Sequence, residues 1–108
     1  MSQPKTKVIA GGAATVFEDL GIAMTPADQL KVDLAAVISR GIQARGLTQE
    51  AAAALLGIDQ PKVSKLLRGR LKEFSIDRLV GFVLALGHDI DIAIRKGATA
   101  TGRVQVAA

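Results

Sequence analysis

The sequence predicts an all-α domain of four helices followed by one short C-terminal β-strand. Two features predict the helices. Apolar residues recur at three- and four-residue intervals in four segments, and a Ser, Thr or Asp residue that can cap a helix precedes each segment. The strand is predicted by one feature, the alternation of isoleucine with other residues over positions 89–95. The chain has 108 residues, 49% of them apolar and 22% charged, which fits a single domain.

We expect this domain to span residues 16–96, between flexible tails at residues 1–15 and 97–108 that lack any apolar periodicity. Residues 16–22 predict a short turn or a one-turn helix that packs on the domain. The first long helix begins at Pro26, because Thr25 offers a capping hydroxyl and Asp28 complements the positive helix end. The helix is predicted to end at Gly46, because glycine readily takes the left-handed conformation that terminates helices. Its predicted apolar face holds Leu30, Leu34, Val37, Ile38 and Ile42, and the residues expected away from that face are Lys31, Asp33, Arg40 and Gln43.

Three shorter helices follow with very short links between them. Thr48 caps the predicted helix at residues 49–56, Asp59 caps the next at residues 60–67, and Ser75 caps the last at about residues 76–86. Pro61 stands in the first turn of its helix, where its missing amide costs nothing. The last helix has a broad apolar face.

The predicted strand needs a backbone partner, since one strand cannot satisfy its own hydrogen bonds. Its partner is either residues 16–22 of the same chain or the same strand of a second subunit. We expect a homodimer, because a twofold axis allows this strand to pair with its own copy. The alternative dimer interface is the broad apolar face of residues 76–86.

The positive charge of the chain is concentrated in one stretch. The net charge is +4, and residues 1–58 and 73–108 are each neutral, so the whole excess lies in residues 59–72. Such a concentration indicates a polyanionic partner, and a nucleic acid is favoured over a membrane. If charge were the only signal, a solvated charged face without a partner would be the better explanation. The chain has no cysteine, and no apolar run is long enough to cross a bilayer. We expect a cytoplasmic protein with no membrane partner.

Residues 48–67 predict a helix-turn-helix. Ala52 and Ala53 allow two helices to approach closely, and Gly57 suits the tight turn between them. The residues expected to face inward are Ile58, Val63 and Leu66. That orientation turns Pro61, Lys65 and Arg68 outward, with Lys62 and Ser64 on the flanks and Gln60 at the exposed N-terminal end.

This arrangement resembles the Xre/Cro-type helix-turn-helix proteins of phage repressors and bacterial regulators. The matching run at residues 46–69 reads GLTQEAAAALLGIDQPKVSKLLRG. The segments around it, residues 16–21 and the Phe74-Ser75 start of the last helix with the strand after it, resemble a subgroup of small Xre proteins. Members of that subgroup are often antitoxin partners of RelE- or HigB-like toxins. The resemblance covers residues 16–96 and implies a lambda-repressor-like fold and a homodimeric repressor that binds double-stranded DNA.

The resemblance also implies roles for single residues. Thr48 and Gln49, at the N-terminus of the second helix, would contact DNA phosphates, and the backbone amides of that helix end would help to bind them. Gln60 and Ser64 would read bases, Gln60 foremost because an amide can pair with adenine. Pro61 departs from the family pattern, since it offers only apolar contact. The remaining candidates would neutralise the charge of DNA phosphates, and they are Lys62, Lys65, Arg68 and Arg70. Lys65 could also reach a guanine.

Other functions are less well supported by the residues. We expect no enzyme, cofactor or metal site, because the single histidine, His88, stands only beside Asp89 and Asp91 on a solvated strand edge. Three phenylalanines are too few for stacking on single-stranded nucleic acid. A purely structural bundle would leave the charge unexplained. The serious alternative is a protein-interaction module that neutralises a toxin through the strand or tail, with DNA binding secondary.

Overall fold

The computed structural model describes residues 24–107, and within them the fold is all-α. It contains α1 (Pro26–Ala44), α2 (Gln49–Leu56), α3 (Gln60–Leu67) and α4 (Ile76–Ala85). The expected tail at residues 1–15 and the expected turn at residues 16–22 lie outside the described residues. None of these four helices is long and apolar enough to span a bilayer. The predicted fold class and helix order are confirmed.

Each helix begins at the predicted cap. Thr25 and Asp28 form a reciprocal capping box, in which each side chain accepts a hydrogen bond of 3.1 Å from the other residue's backbone amide. The α2, α3 and α4 helices are capped by the side chains of Thr48, Asp59 and Ser75. The predicted boundaries of α2 and α3 are confirmed to the residue, and α4 ends one residue earlier than expected.

The core lies where α1 packs against α4 and α2 packs against α3. Ile38 of α1 and Leu79 of α4 are completely buried, and Phe74 meets Phe82 edge to face with ring centroids 6.0 Å apart. Both α1 and α4 also contact the α2–α3 pair. The long helix and the last helix therefore form the platform on which the two short helices rest.

Asp33 lies inside the fold, although the sequence placed it away from the apolar face of α1. Only 5% of its surface is exposed. The Gln29 amide group donates a hydrogen bond of 2.9 Å to its carboxylate. The backbone of the half-buried Val106 lies close to the same carboxylate. Burial raises the pKa of Asp33 above its usual 3.8, and the hydrogen bond from Gln29 and the nearby Val106 backbone oppose that rise.

The predicted strand is a further correction, because the structure assigns no strand to residues 89–95. A strand requires a second backbone, and no segment among residues 24–107 of the single chain pairs with this one. Ile90 packs partly against the core, whereas Ile92 and Ile94 are 82% and 92% exposed. The alternation thus leaves two isoleucines in water.

Two glycines provide a matched test of the turn between α2 and α3. Gly57 has φ 73°, and a Cβ atom there or at Gly81 of α4 would meet no other atom within 4 Å. Gly57→Ala should lower the free energy of unfolding by about 1–2 kcal/mol, because only backbone conformation opposes the side chain. Gly81→Ala should raise it by about 0.5–1 kcal/mol, because alanine favours a helix interior. Urea unfolding measures both, and shifts of the same sign would contradict this account.

Asp33 should make stability depend on pH. A raised pKa means that the folded state holds the proton more tightly than the unfolded chain. The resulting stabilisation is present below pH 3.8 and is lost as the pH rises through the folded-state pKa. Asparagine stays neutral and can still accept from Gln29. Asp33→Asn should therefore raise the urea midpoint at pH 7, with a gain that shrinks towards pH 3. A midpoint at pH 7 no higher than wild type would refute the account, and Asp89→Asn controls for net charge.

Candidate nucleic-acid interface

A tight turn sets the angle between α2 and α3. At Gly57 the backbone takes the left-handed conformation, and the amides of Gly57 and Ile58 both donate to the Ala53 carbonyl, at 2.9 and 3.1 Å. Asp59 then caps α3 after only one further residue. The close approach of the helices relies on Ala52 and Ala53, which are 0% and 7% exposed. The predicted helix-turn-helix geometry is confirmed in these residues.

The α3 helix is fixed by two buried side chains. Val63 is 0% exposed and Leu66 is 2% exposed, and Ile58 packs partly against the same core. With these three residues inward, the opposite side of α3 faces solvent. Gln60, Pro61 and Arg68 are exposed, and Lys62, Ser64 and Lys65 are half-buried. The structure thus places the predicted base readers on the outward side of α3 together with Lys65 and Arg68, while Lys62 lies on its flank.

Thr48 and Gln49 lie exposed at the N-terminus of α2, as expected. The Thr48 hydroxyl accepts a hydrogen bond of 3.0 Å from the Ala51 amide. A hydroxyl that accepts in this way can still donate its own proton. The Thr48 side chain can therefore cap the helix and donate to an anion at once.

Arg68 and Arg70 lie exposed where α3 ends. Between them, Gly69 has φ 77°, and its amide donates to the Leu66 carbonyl at 3.1 Å. The Arg70 amide donates to the Lys65 carbonyl at 2.9 Å, which completes a Schellman motif. The chain therefore reverses within three residues and keeps both arginines close to the end of α3.

The sequence did not reveal that Lys65 has a partner. Its Nζ atom lies 2.7 Å from Oε2 of Glu73, in the connection between α3 and α4. The hydrogen bond from Lys65 and the charges of Lys65 and Lys62 hold the pKa of Glu73 below its usual value. In the sequence Glu73 directly follows the basic stretch of residues 59–72. Including it lowers the net charge of the stretch from +4 to +3.

Comparison with known proteins agrees with this geometry. The family described as "Helix-turn-helix domain" matches residues 16–95. The chain belongs to this family. A solved structure named "Putative XRE Family Transcriptional Regulator" is 43% identical, with a TM-score of 0.71, over 76% of this chain and 94% of that one. No curated protein matches the sequence. Among residues 24–107, no group of three metal-ligating side chains comes together.

Proposed function

We propose that this protein is a transcriptional regulator that binds double-stranded DNA with α3 in the major groove. The observation that carries the proposal is the two-sided character of α3. Val63 and Leu66 anchor one side in the core, while polar and basic side chains occupy the other. The similar solved structure, which carries the name of an XRE-family regulator, supports the same role. A protein of this kind acts as a repressor when its site overlaps a promoter.

The residues divide into base readers and phosphate contacts. Gln60 is exposed at the N-terminal end of α3, the part of a recognition helix that reaches deepest into the groove. Its amide can donate to and accept from adenine, and Ser64 lies one turn further along. The phosphate contacts are Thr48, Gln49, Lys62, Lys65, Arg68 and Arg70. Pro61 adds apolar contact that suits a thymine methyl group.

Alanine substitutions at Gln60 and Arg68 should change DNA binding in different ways. Gln60→Ala should reduce discrimination at one base position by about 1–3 kcal/mol, because the lost contact carries sequence information. Arg68→Ala should weaken binding to every duplex and reduce the slope of log affinity against log salt by about one. Fluorescence anisotropy measures both, with duplexes selected from a random pool and scrambled controls.

Arg103→Ala is the matched control, because Arg103 is an exposed arginine outside the helix-turn-helix. It should leave the salt slope near that of the wild type. If Gln60→Ala weakened binding to all sequences equally, Gln60 would be a backbone contact. If the wild type bound no duplex, the proposed function would be wrong.

A homodimer would place two copies of α3 about 34 Å apart on one face of the duplex. Residues 89–95 are the proposed coupling element, since Ile92 and Ile94 are largely exposed and a twofold axis allows the segment to pair with its own copy. The same exposed isoleucines favour a second candidate function. In it, the segment pairs with a toxin and the protein acts as an antitoxin.

Two aspartate substitutions separate the candidate dimer interfaces. Ile92 is 82% exposed and Leu84 of α4 is 53% exposed, so neither substitution should disrupt the fold of one chain. Ile92→Asp should convert the dimer to a monomer at micromolar concentration in light scattering, and Leu84→Asp should leave it dimeric. The reverse result would assign the interface to α4. A folded Ile92→Asp dimer would show that residues 89–95 do not hold the subunits together.

A further inference from the structure

The connection between α3 and α4 presents one carboxylate to the basic side of α3. Leu71 and Phe74 of this connection are buried, at 2% and 1% exposed, and the Phe74 amide donates to the Leu71 carbonyl at 3.0 Å. That hydrogen bond closes a tight turn whose two central residues, Lys72 and Glu73, are exposed. The backbone of Glu73 is therefore held on both sides by buried residues, independently of the ion pair that its side chain makes.

The pair joins two incompletely buried side chains. Lys65 is 39% exposed and Glu73 is 51% exposed at the side chain, with 2.7 Å between Nζ and Oε2. Lys65 and Lys62 together lower the pKa of Glu73, so the carboxylate is ionised at neutral pH. An ion pair this accessible to water is weak. It can therefore be replaced where a DNA site offers Lys65 a better-placed acceptor.

We propose that Glu73 is a specificity-determining residue, which occupies the Lys65 ammonium group in the unbound protein and limits binding to DNA of arbitrary sequence. This inference rests on the proposed function. On a non-specific duplex, α3 makes no base contacts that draw Lys65 away from Glu73, so the pair persists. Lys65 then neutralises no phosphate and releases no counterion. On a specific site, a guanine or a well-placed phosphate replaces the carboxylate.

Glu73 also acts against non-specific binding directly. Its negative charge lies beside the lysines that would approach the phosphates, and like charges repel. A duplex without the correct bases has no contact that offsets this repulsion. The ratio between specific and non-specific affinity should therefore rise because Glu73 is present, although the specific affinity itself does not.

Glu73→Gln tests the proposal, since glutamine has nearly the same shape and no charge. It should raise the affinity for scrambled duplex about three- to tenfold at 0.1 M salt and steepen the log–log salt slope by about one, because one more phosphate is neutralised. The affinity for the selected duplex should rise less, so the specificity ratio should fall. Asp77→Asn, which changes net charge equally at an exposed carboxylate outside the helix-turn-helix and outside residues 89–95, should have a smaller effect.

A double-mutant cycle with Lys65→Ala separates the ion pair from general repulsion. On the Lys65→Ala background, Glu73→Gln should raise the affinity for scrambled duplex less than on the wild-type background, because only the direct repulsion between Glu73 and phosphates is then removed. An equal rise with and without Lys65 would overturn the proposal, and so would a loss of affinity for the selected duplex, which would mean that Glu73 positions Lys65 for binding. If Arg68→Ala reduces the salt slope while Glu73→Gln changes nothing, this inference fails and the proposed function stands.

Discussion

The α3 helix depends on Val63 and Leu66 for its existence. Eight residues are too few for a helix to persist alone in water, because nucleation costs more than so few hydrogen bonds return. These two side chains are completely buried, and the close contact of α2 through Ala52 and Ala53 covers the same side. The hydrogen bond that the Asp59 carboxylate accepts from the Lys62 amide then fixes where the helix begins. Everything proposed for the outward side follows from these inward contacts.

The sequence predicted the helices well because their ends are determined locally. A cap needs a hydroxyl or carboxylate three residues from an unpaired amide, and a left-handed stop favours glycine. Thr25, Thr48, Asp59 and Ser75 satisfy the first condition within a few residues of sequence. The orientation of α3 was equally predictable, since Val63 and Leu66 are three residues apart and must share a face.

The features that the sequence did not reveal depend on contacts between distant segments. Asp33 lies on a helix flank where local periodicity favours solvent, yet it is buried, and the Val106 backbone near it is more than seventy residues away in sequence. Glu73 meets Lys65 across eight residues and a reversal of the chain after α3, so the periodicity of α3 does not predict the contact. For residues 89–95, alternation indicates that the two sides differ, but it does not identify the backbone that pairs with them.

The caps of α2 and α3 also suggest why one helix would contact phosphates and the other bases. Both N-termini carry the positive end of a helix dipole, which attracts anions. At α3 the Asp59 carboxylate accepts from the Lys62 amide at 2.9 Å, so a negative charge already occupies that end and a phosphate would be repelled. At α2 the cap is the neutral hydroxyl of Thr48, which retains a proton to donate. In the proposed complex, the backbone is therefore drawn to α2, and the end of α3 that carries Gln60 is left for the base edges.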